Sequence, residues 1–150
     1  MTQIFTPLIT ENIDNERFVR LTAPFIFESD ELKKFGLQSR VEVPVAFVQD
    51  FESVPLVRGS NKRGGTAHDY LCRKDSVPVV TKSQAAAVYL EIMAYTYAIS
   101  DRSWWQRFKD FNIRWFKWGV VRVAPDYFHK HKVMATCEEI TGLKGDPYIT

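Results

Sequence analysis

The residues best suited to chemistry lie in the middle of the chain, in two short polar segments. Asp50 and Ser53 belong to the first segment, and the adjacent pair His68 and Asp69 belongs to the second. A carboxylate, a hydroxyl and a His-Asp pair this close together are the groups from which acid–base and metal sites are built. The sequence therefore gives these four as candidate catalytic residues. Asp50, His68 and Asp69 are also candidate ligands of a divalent metal.

Two hypotheses follow from these four residues. In the first, Asp50, His68 and Asp69 hold a metal or activate a water, and Ser53 orients a substrate oxygen, as in a metal-dependent hydrolase. In the second, the same side chains form a buried polar network that fixes a strand-to-helix junction in a protein without enzymatic activity. Asp and Ser before a proline are also ordinary turn residues. The residues alone leave open whether the protein is an enzyme.

A basic, glycine-rich segment, Arg58–Gly65, connects the two polar segments. Its Lys62 and Arg63 are candidates for binding an anion, because glycines and basic side chains can surround a phosphate. The segment lacks the order of a nucleotide-binding P-loop, and a mobile, solvated loop fits it better. The run His129–Lys132 is interpreted in the same way, as charged surface.

The elements that must position these residues are predicted to form one α+β domain over residues 1–150. The chain has 150 residues, of which 45% are hydrophobic, enough for one ordinary core. Phe18–Phe27, interrupted by Pro24, and Val41–Phe47 have the composition of antiparallel strands. We expect a small antiparallel sheet from the N-terminal third, packed against two to three C-terminal helices. The two cysteines show no metal-ligand spacing and are predicted to be reduced.

Two helices are predicted after the sheet. The first is a short helix, Ala67–Cys72, with Thr66 as its N-cap, which would place His68 and Asp69 in its first turn. The second is Gln84–Ala98, which is apolar on nearly every side and is capped by Thr81 or Ser83. We expect this second helix to be buried.

A third helix, capped by Asp101 or Ser103, carries an aromatic stripe. Its rings recur at helical spacing, at Trp104, Phe108, Phe111, Trp115 and Trp118. The stripe fits a helix packed on its own core best. A partner or oligomer interface is the second interpretation, because Trp105 and Phe116 widen the apolar face. An interfacial membrane helix is the third, and the modest polar face supports it least.

Composition excludes several classes of protein. A net charge of +2 is too small for a dedicated nucleic-acid binder. The N-terminus has no basic segment followed by an apolar run, so no secretory signal peptide is expected. No window approaches the length of a membrane-spanning helix. We therefore predict no transmembrane segment.

The polar segments also resemble a known family. The patterns Phe47-x-x-Asp50-x-x-Ser53-x-Pro55 and His68-Asp69-Tyr70-Leu71-x-Arg73, followed by a Ser/Thr-Lys/Arg-x-x-Ala helix start, are similar to the phage and prophage proteins of domain-of-unknown-function family thirteen-fifty-three. The resemblance covers roughly residues 40 to 120. It implies a bacteriophage or prophage origin and a place in the host cytoplasm or the virion. It assigns no activity.

One departure from that pattern bears on function. Relatives have an acidic residue near the start of the long helix where this chain has Ala86. If that carboxylate completes a metal shell or acts as a general base, this protein lacks it. The sequence therefore favours a phage-encoded structural or interaction protein that binds other phage proteins or itself. A metal-dependent hydrolase, with a degraded site, is the alternative.

Overall fold

The computed structural model describes residues 1–13, 18–49, 61–73, 75–100 and 103–123. Within these ranges the chain forms six short strands and four helices. The strands are β1 Gln3–Ile4, β2 Thr10–Ile13, β3 Phe18–Leu21, β4 Phe25–Glu28, β5 Arg40–Val43 and β6 Val48–Gln49. The helices are α1 Asp30–Lys34, α2 Lys62–Leu71, α3 Lys82–Ile99 and α4 Trp104–Val123.

The predicted α+β class is confirmed, with two small antiparallel sheets where one was expected. One sheet has the order β1-β4-β5 and the other β2-β3-β6. The predicted strand Phe18–Phe27 is in fact two strands, β3 and β4, one in each sheet. Pro24 immediately precedes β4, and a proline has no N–H to donate to a sheet ladder. The break at this proline lets one segment serve both sheets.

The core lies between the β1-β4-β5 sheet and the helices. Alternate residues of β4 and β5 point into it, as the two-residue period of a strand requires. Phe25 and Phe27 of β4 are fully buried, and Val41 and Val43 of β5 lie beside them. The helices complete this core with buried apolar side chains, including Leu32, Ala67, Leu71, Ala85, Val88 and Ile92.

A single carboxylate joins α1 to α3. Glu91 Oε1 accepts hydrogen bonds from the backbone N–H groups of Asp30 (2.8 Å) and Glu31 (3.2 Å) and from the hydroxyl of Thr2 (2.6 Å). Its Oε2 accepts from the hydroxyl of Ser29, the N-cap of α1. The first N–H groups of a helix have no partner within the helix, and they carry partial positive charge. Glu91 therefore satisfies and neutralises the start of α1.

The helix α2 begins earlier than predicted. Asn61 is its N-cap and accepts a hydrogen bond from Gly64 N at 2.7 Å, so the predicted cap, Thr66, lies inside the helix. Gly64 belongs to the helix because α3 passes very close. A Cβ at this position would lie 3.0 Å from Met93 Cγ and 3.2 Å from Tyr89 Cδ2. Part of the segment predicted as a glycine-rich loop is thus the first turn of a packed helix.

The boundaries of the next two helices agree with the sequence. Thr81 is the N-cap of α3 and forms a reciprocal capping box with Gln84. Ser103 precedes α4 and exchanges hydrogen bonds with Gln106 in the same pattern. The predicted helices at these positions are therefore confirmed, and α3 is buried along Ala85, Ala86, Val88, Tyr89, Ile92 and Met93.

Candidate functional site

His68 and Asp69 lie in contact on α2. Nδ1 of His68 is 3.5 Å from Oδ1 of Asp69, and the side chains are 12% and 14% exposed. The prediction that both stand in the first turn is wrong, because the helix begins at Lys62 and His68 belongs to its last turn. The helix dipole there favours a cation, such as a protonated histidine.

The other nitrogen of the same imidazole faces a cysteine that the sequence analysis did not select. Nε2 of His68 is 3.3 Å from Sγ of Cys72, which is a free and almost completely buried thiol. The ring of Tyr89, on α3, packs 5.2 Å from the imidazole ring. The spacing of four residues was a usable signal, because residues i and i+4 meet on one face of a helix. The predicted helix Ala67–Cys72 already contained both residues, so this spacing could have been used.

These neighbours change the protonation of His68. Burial by itself disfavours the charged imidazole and lowers its pKa. The Coulombic attraction of Cys72, together with hydrogen bonds from the imidazole to Asp69 and Cys72, outweighs burial and raises the pKa of His68 to about 10. The pKa of His68 is therefore governed by its two neighbours on the same helical segment more than by its burial.

The first polar segment is described only up to Gln49, the last residue of β6. Asp50 and Ser53, the other two candidate catalytic residues, lie outside the described residues. Gln49 is buried, and its side-chain amide donates a 2.6 Å hydrogen bond to the hydroxyl of Thr66 on α2. A buried polar contact thus connects the strand that leads to Asp50 with the helix that carries His68.

The proposed metal ligands can be compared only in part. In the ranges that the structure describes, no three His, Cys, Asp or Glu side chains are grouped so that they could hold a metal ion. His68 and Asp69 provide two such groups close together, and the third predicted ligand, Asp50, is not described. Ala86 is fully buried in an apolar cluster with Tyr89 and Met93.

The two candidate anion-binding residues lie at the other end of the same helix. Lys62 is exposed and Arg63 is half-buried, both in the first turn of α2. The run His129–Lys132 lies outside the described residues, as does the second cysteine, Cys137.

The aromatic stripe of α4 faces away from the core, so the interpretation of this stripe as a core contact is wrong. Six rings form what we name the aromatic face, with exposed fractions between 43% and 65%: Trp104, Trp105, Phe108, Phe111, Trp115 and Phe116. Trp118, the last ring of the predicted stripe, is half-buried and packs on α3. Asp110 and Lys117 are buried instead, at 5% and 0% exposure. Both have interaction partners, which allows polar side chains to occupy the inner side.

None of the described helices is long and apolar enough to cross a membrane. Comparison of the chain with protein-family models, with curated proteins and with solved structures finds no match.

Proposed function

We propose that this chain is a phage-encoded structural or interaction protein that associates with a second copy of itself through the aromatic face of α4. The observation that carries the proposal is the exposure of six large aromatic side chains along one helix. The resemblance to the phage family supports the origin and a place in the host cytoplasm or the virion. The aromatic face supports the role in protein–protein association.

The area of this face suits a stable protein contact. An aromatic side chain covers about 200 Å², so six rings at 43% to 65% exposure leave about 650 Å² accessible. A standard interface buries about 800 Å² on each partner. The rings alone would supply most of one side of such an interface. Trp104 and Trp105 are already stacked, with ring centroids 3.8 Å apart, so part of the surface is ordered before it binds.

The response to salt distinguishes a second copy from a lipid surface as the occupant of this face. An interfacial membrane helix exposes its polar side to water, whereas α4 buries Asp110 and Lys117 against its own domain. Beside the aromatic face, Arg107 and Lys109 are exposed, and the exposed α4 residues between 104 and 120 include no carboxylate. Two copies therefore bring like charges near each other. We expect self-association to strengthen with added salt, because screening weakens the repulsion between the two copies. Binding to an anionic lipid surface should instead weaken with salt, because screening reduces the attraction.

Sedimentation or light scattering at two salt concentrations tests this proposal. The expected mass of the parent protein is twice 17.4 kDa. Phe108→Glu and Trp115→Glu each place a carboxylate in the aromatic face and should give the monomer. Gln106→Glu adds the same charge outside that face and keeps an acceptor for the N–H of Ser103, so this control should remain a dimer.

A parent protein that stays at 17.4 kDa would refute self-association. Co-sedimentation of that monomer with vesicles containing anionic lipid, reversed by salt, would assign the face to a membrane surface instead. Melting curves of each variant check that the domain remains folded.

The metal-dependent hydrolase is the second candidate, and the contact between His68 and Asp69 is the observation that favours it. Its test is the metal content of protein purified without chelator, compared between the parent, His68→Ala and Asp69→Asn. Metal that is lost in both variants while the fold is kept would support this function. Protein that contains no metal, together with a lower melting temperature of the variants, would support the polar network.

A further inference from the structure

The exposed rings of the α4 stripe follow the same order in both directions along the helix. Trp118 is half-buried against α3 and is not part of the exposed stripe. The exposed rings of the stripe are Trp104, Phe108, Phe111 and Trp115. Their order is Trp, Phe, Phe, Trp, and they are separated by steps of four, three and four residues. Reversing the helix therefore changes neither the kinds of ring nor their spacing, and the centre of this symmetry lies between residues 109 and 110.

The same spacing is that of a seam between two paired helices. Steps of four and three residues are the a and d positions of a heptad, whose side chains interlock with those of a second helix. Asp110 and Lys117, the buried polar residues of α4, lie one heptad apart on the inner side. At about 100° per residue, the four rings point about 140° away from this pair around the helix axis. A second helix can therefore lie on the rings while α3 keeps its place on the inner side.

A second copy of α4, turned end for end, matches this seam ring by ring. In an isologous contact, residue i of one copy meets residue j of the other, and residue j meets residue i. Antiparallel pairing about the centre sets Trp104 opposite Trp115 of the second copy, and Phe108 opposite Phe111. Antiparallel helices also pair a positions with d positions, as these steps require. Every layer then contains two rings of the same kind, and each ring of the seam has a counterpart.

The charges on α4 favour the antiparallel order over the parallel one. Arg107 and Lys109 are exposed in the N-terminal half of the seam, which is also the positive end of the helix dipole. In the C-terminal half, Lys117 is buried, and Arg114 is half-buried with its guanidinium over the ring of Phe111. Parallel pairing would bring two positive N-terminal halves to the same level. Antiparallel pairing sets each of them beside the C-terminal half of the other copy.

We propose that α4 pairs antiparallel with α4 of a second copy, with the two-fold axis between residues 109 and 110. The proposal rests on the self-association proposed above and adds the order in which the rings meet. The stacked rings of Trp104 and Trp105 close each end of the seam, where they meet Trp115 of the other copy. The Phe108 and Phe111 layers lie at the centre, where truncation of a contact weakens an interface most.

Mixtures of two variants test the order of the rings. Phe108→Glu and Phe111→Lys each place a charge in a central layer, so each alone should be monomeric. In the antiparallel order their equimolar mixture sets the new carboxylate opposite the new ammonium and leaves the other Phe layer intact. Sedimentation should then show a dimer of twice 17.4 kDa. We expect this dimer to form at least about tenfold more tightly than that of either variant alone.

The matched control is an equimolar mixture of Phe108→Glu and Phe108→Lys. These two charges face each other only in the parallel order, so this mixture should remain monomeric. A dimeric parent for which only the control mixture associates would overturn the antiparallel order and leave self-association intact. A monomeric parent would refute both.

A distance measurement keeps every ring of the seam in place. Gly119→Cys accepts a spin label, because a Cβ at Gly119 meets no atom within 4 Å. The background carries Cys72→Ala and Cys137→Ala, so that only the new thiol is labelled. Antiparallel pairing separates the two labels by about 28 Å along the helix axis, at a rise of about 1.5 Å per residue.

Lys109→Cys in the same background is the control for this distance. Its labels lie within about 2 Å of each other along the axis in the antiparallel order and at the same level in the parallel order. We expect a short distance for this control and a long one at position 119. Short distances at both positions would show that the two helices run parallel.

Discussion

The close contact between α2 and α3 at Gly64 gives the sharpest test of the packing that holds His68 and Cys72 in place. Gly64→Ala would put a Cβ 2.9 Å from Asn61 Oδ1, 3.0 Å from Met93 Cγ and 3.2 Å from Tyr89 Cδ2. Distances below 3.4 Å require the neighbours to move. Because Asn61 Oδ1 is also the N-cap acceptor, its displacement weakens the start of the helix as well.

The expected change in the free energy of unfolding combines two costs and one gain. Overpacking of a filled contact costs about 1 to 3 kcal/mol. Loss of the cap adds about 1 kcal/mol, and the better helix propensity of alanine returns about 1 kcal/mol. We therefore expect Gly64→Ala to lower the free energy of unfolding by about 1 to 3 kcal/mol, the range set by the overpacking cost.

The chain offers a matched control. Gly119 is also helical, in α4, and a Cβ there would meet no atom within 4 Å. Gly119→Ala should raise the free energy of unfolding by up to about 1 kcal/mol through helix propensity alone. Urea unfolding at one fixed protein concentration measures both changes, and an unchanged m-value shows that the same transition is compared. A Gly64→Ala protein as stable as the parent would refute the close approach of α3 to α2.

Three further predictions concern buried polar groups, and each is measured by the free energy of unfolding. Glu91→Ala should lower it by about 2 to 3 kcal/mol, because two backbone N–H groups of α1 lose a charged acceptor; an equal loss in the exposed Glu42→Ala control would contradict this. Thr66→Val should cost about 1 to 3 kcal/mol by leaving the buried Gln49 amide without its acceptor, and Gln49→Leu in the same protein should recover part of that loss. The third prediction concerns pH. The raised pKa of His68 contributes stability that is complete below pH 6.5 and is lost as pH rises through about 10. The free energy of unfolding of the parent should therefore decrease across this pH window, and the decrease should be smaller in His68→Gln. A parent and variant with the same pH profile would count against it.

Local signals in the sequence predicted some elements well. The boundary of α3 was predictable because a capping box depends on two residues, Thr81 and Gln84, that are three positions apart. The start of α2 was not, because two glycines in succession normally indicate a loop. Gly64 belongs to a helix only because Met93 and Tyr89, far along the chain, leave no room for a side chain.

The orientation of α4 could not be predicted from the sequence pattern. Spacing predicted the helix and its aromatic stripe correctly, since periodicity reports that one side differs from the other. Periodicity does not report which side meets the domain. Here Asp110 and Lys117 lie on the buried side, and each has an interaction partner.

The candidate site was predictable in the same partial way. The pair His68 and Asp69 was found because adjacent polar residues are visible without a fold. Cys72 was missed although the predicted helix, Ala67–Cys72, already placed residues 68 and 72 four positions apart on one helix, because the cysteines were compared only with metal-ligand spacings.

The strand order has a consequence for how the domain forms during synthesis. Along the chain the strands change sheet three times: β1, β4 and β5 belong to one sheet, and β2, β3 and β6 belong to the other. Neither sheet is encoded by a continuous segment, so an emerging chain cannot finish one before it begins the other. The last strands of the described residues, β5 and β6, end at Val43 and Gln49, only a few residues apart. Both sheets should therefore close almost simultaneously on the ribosome, as one cooperative event.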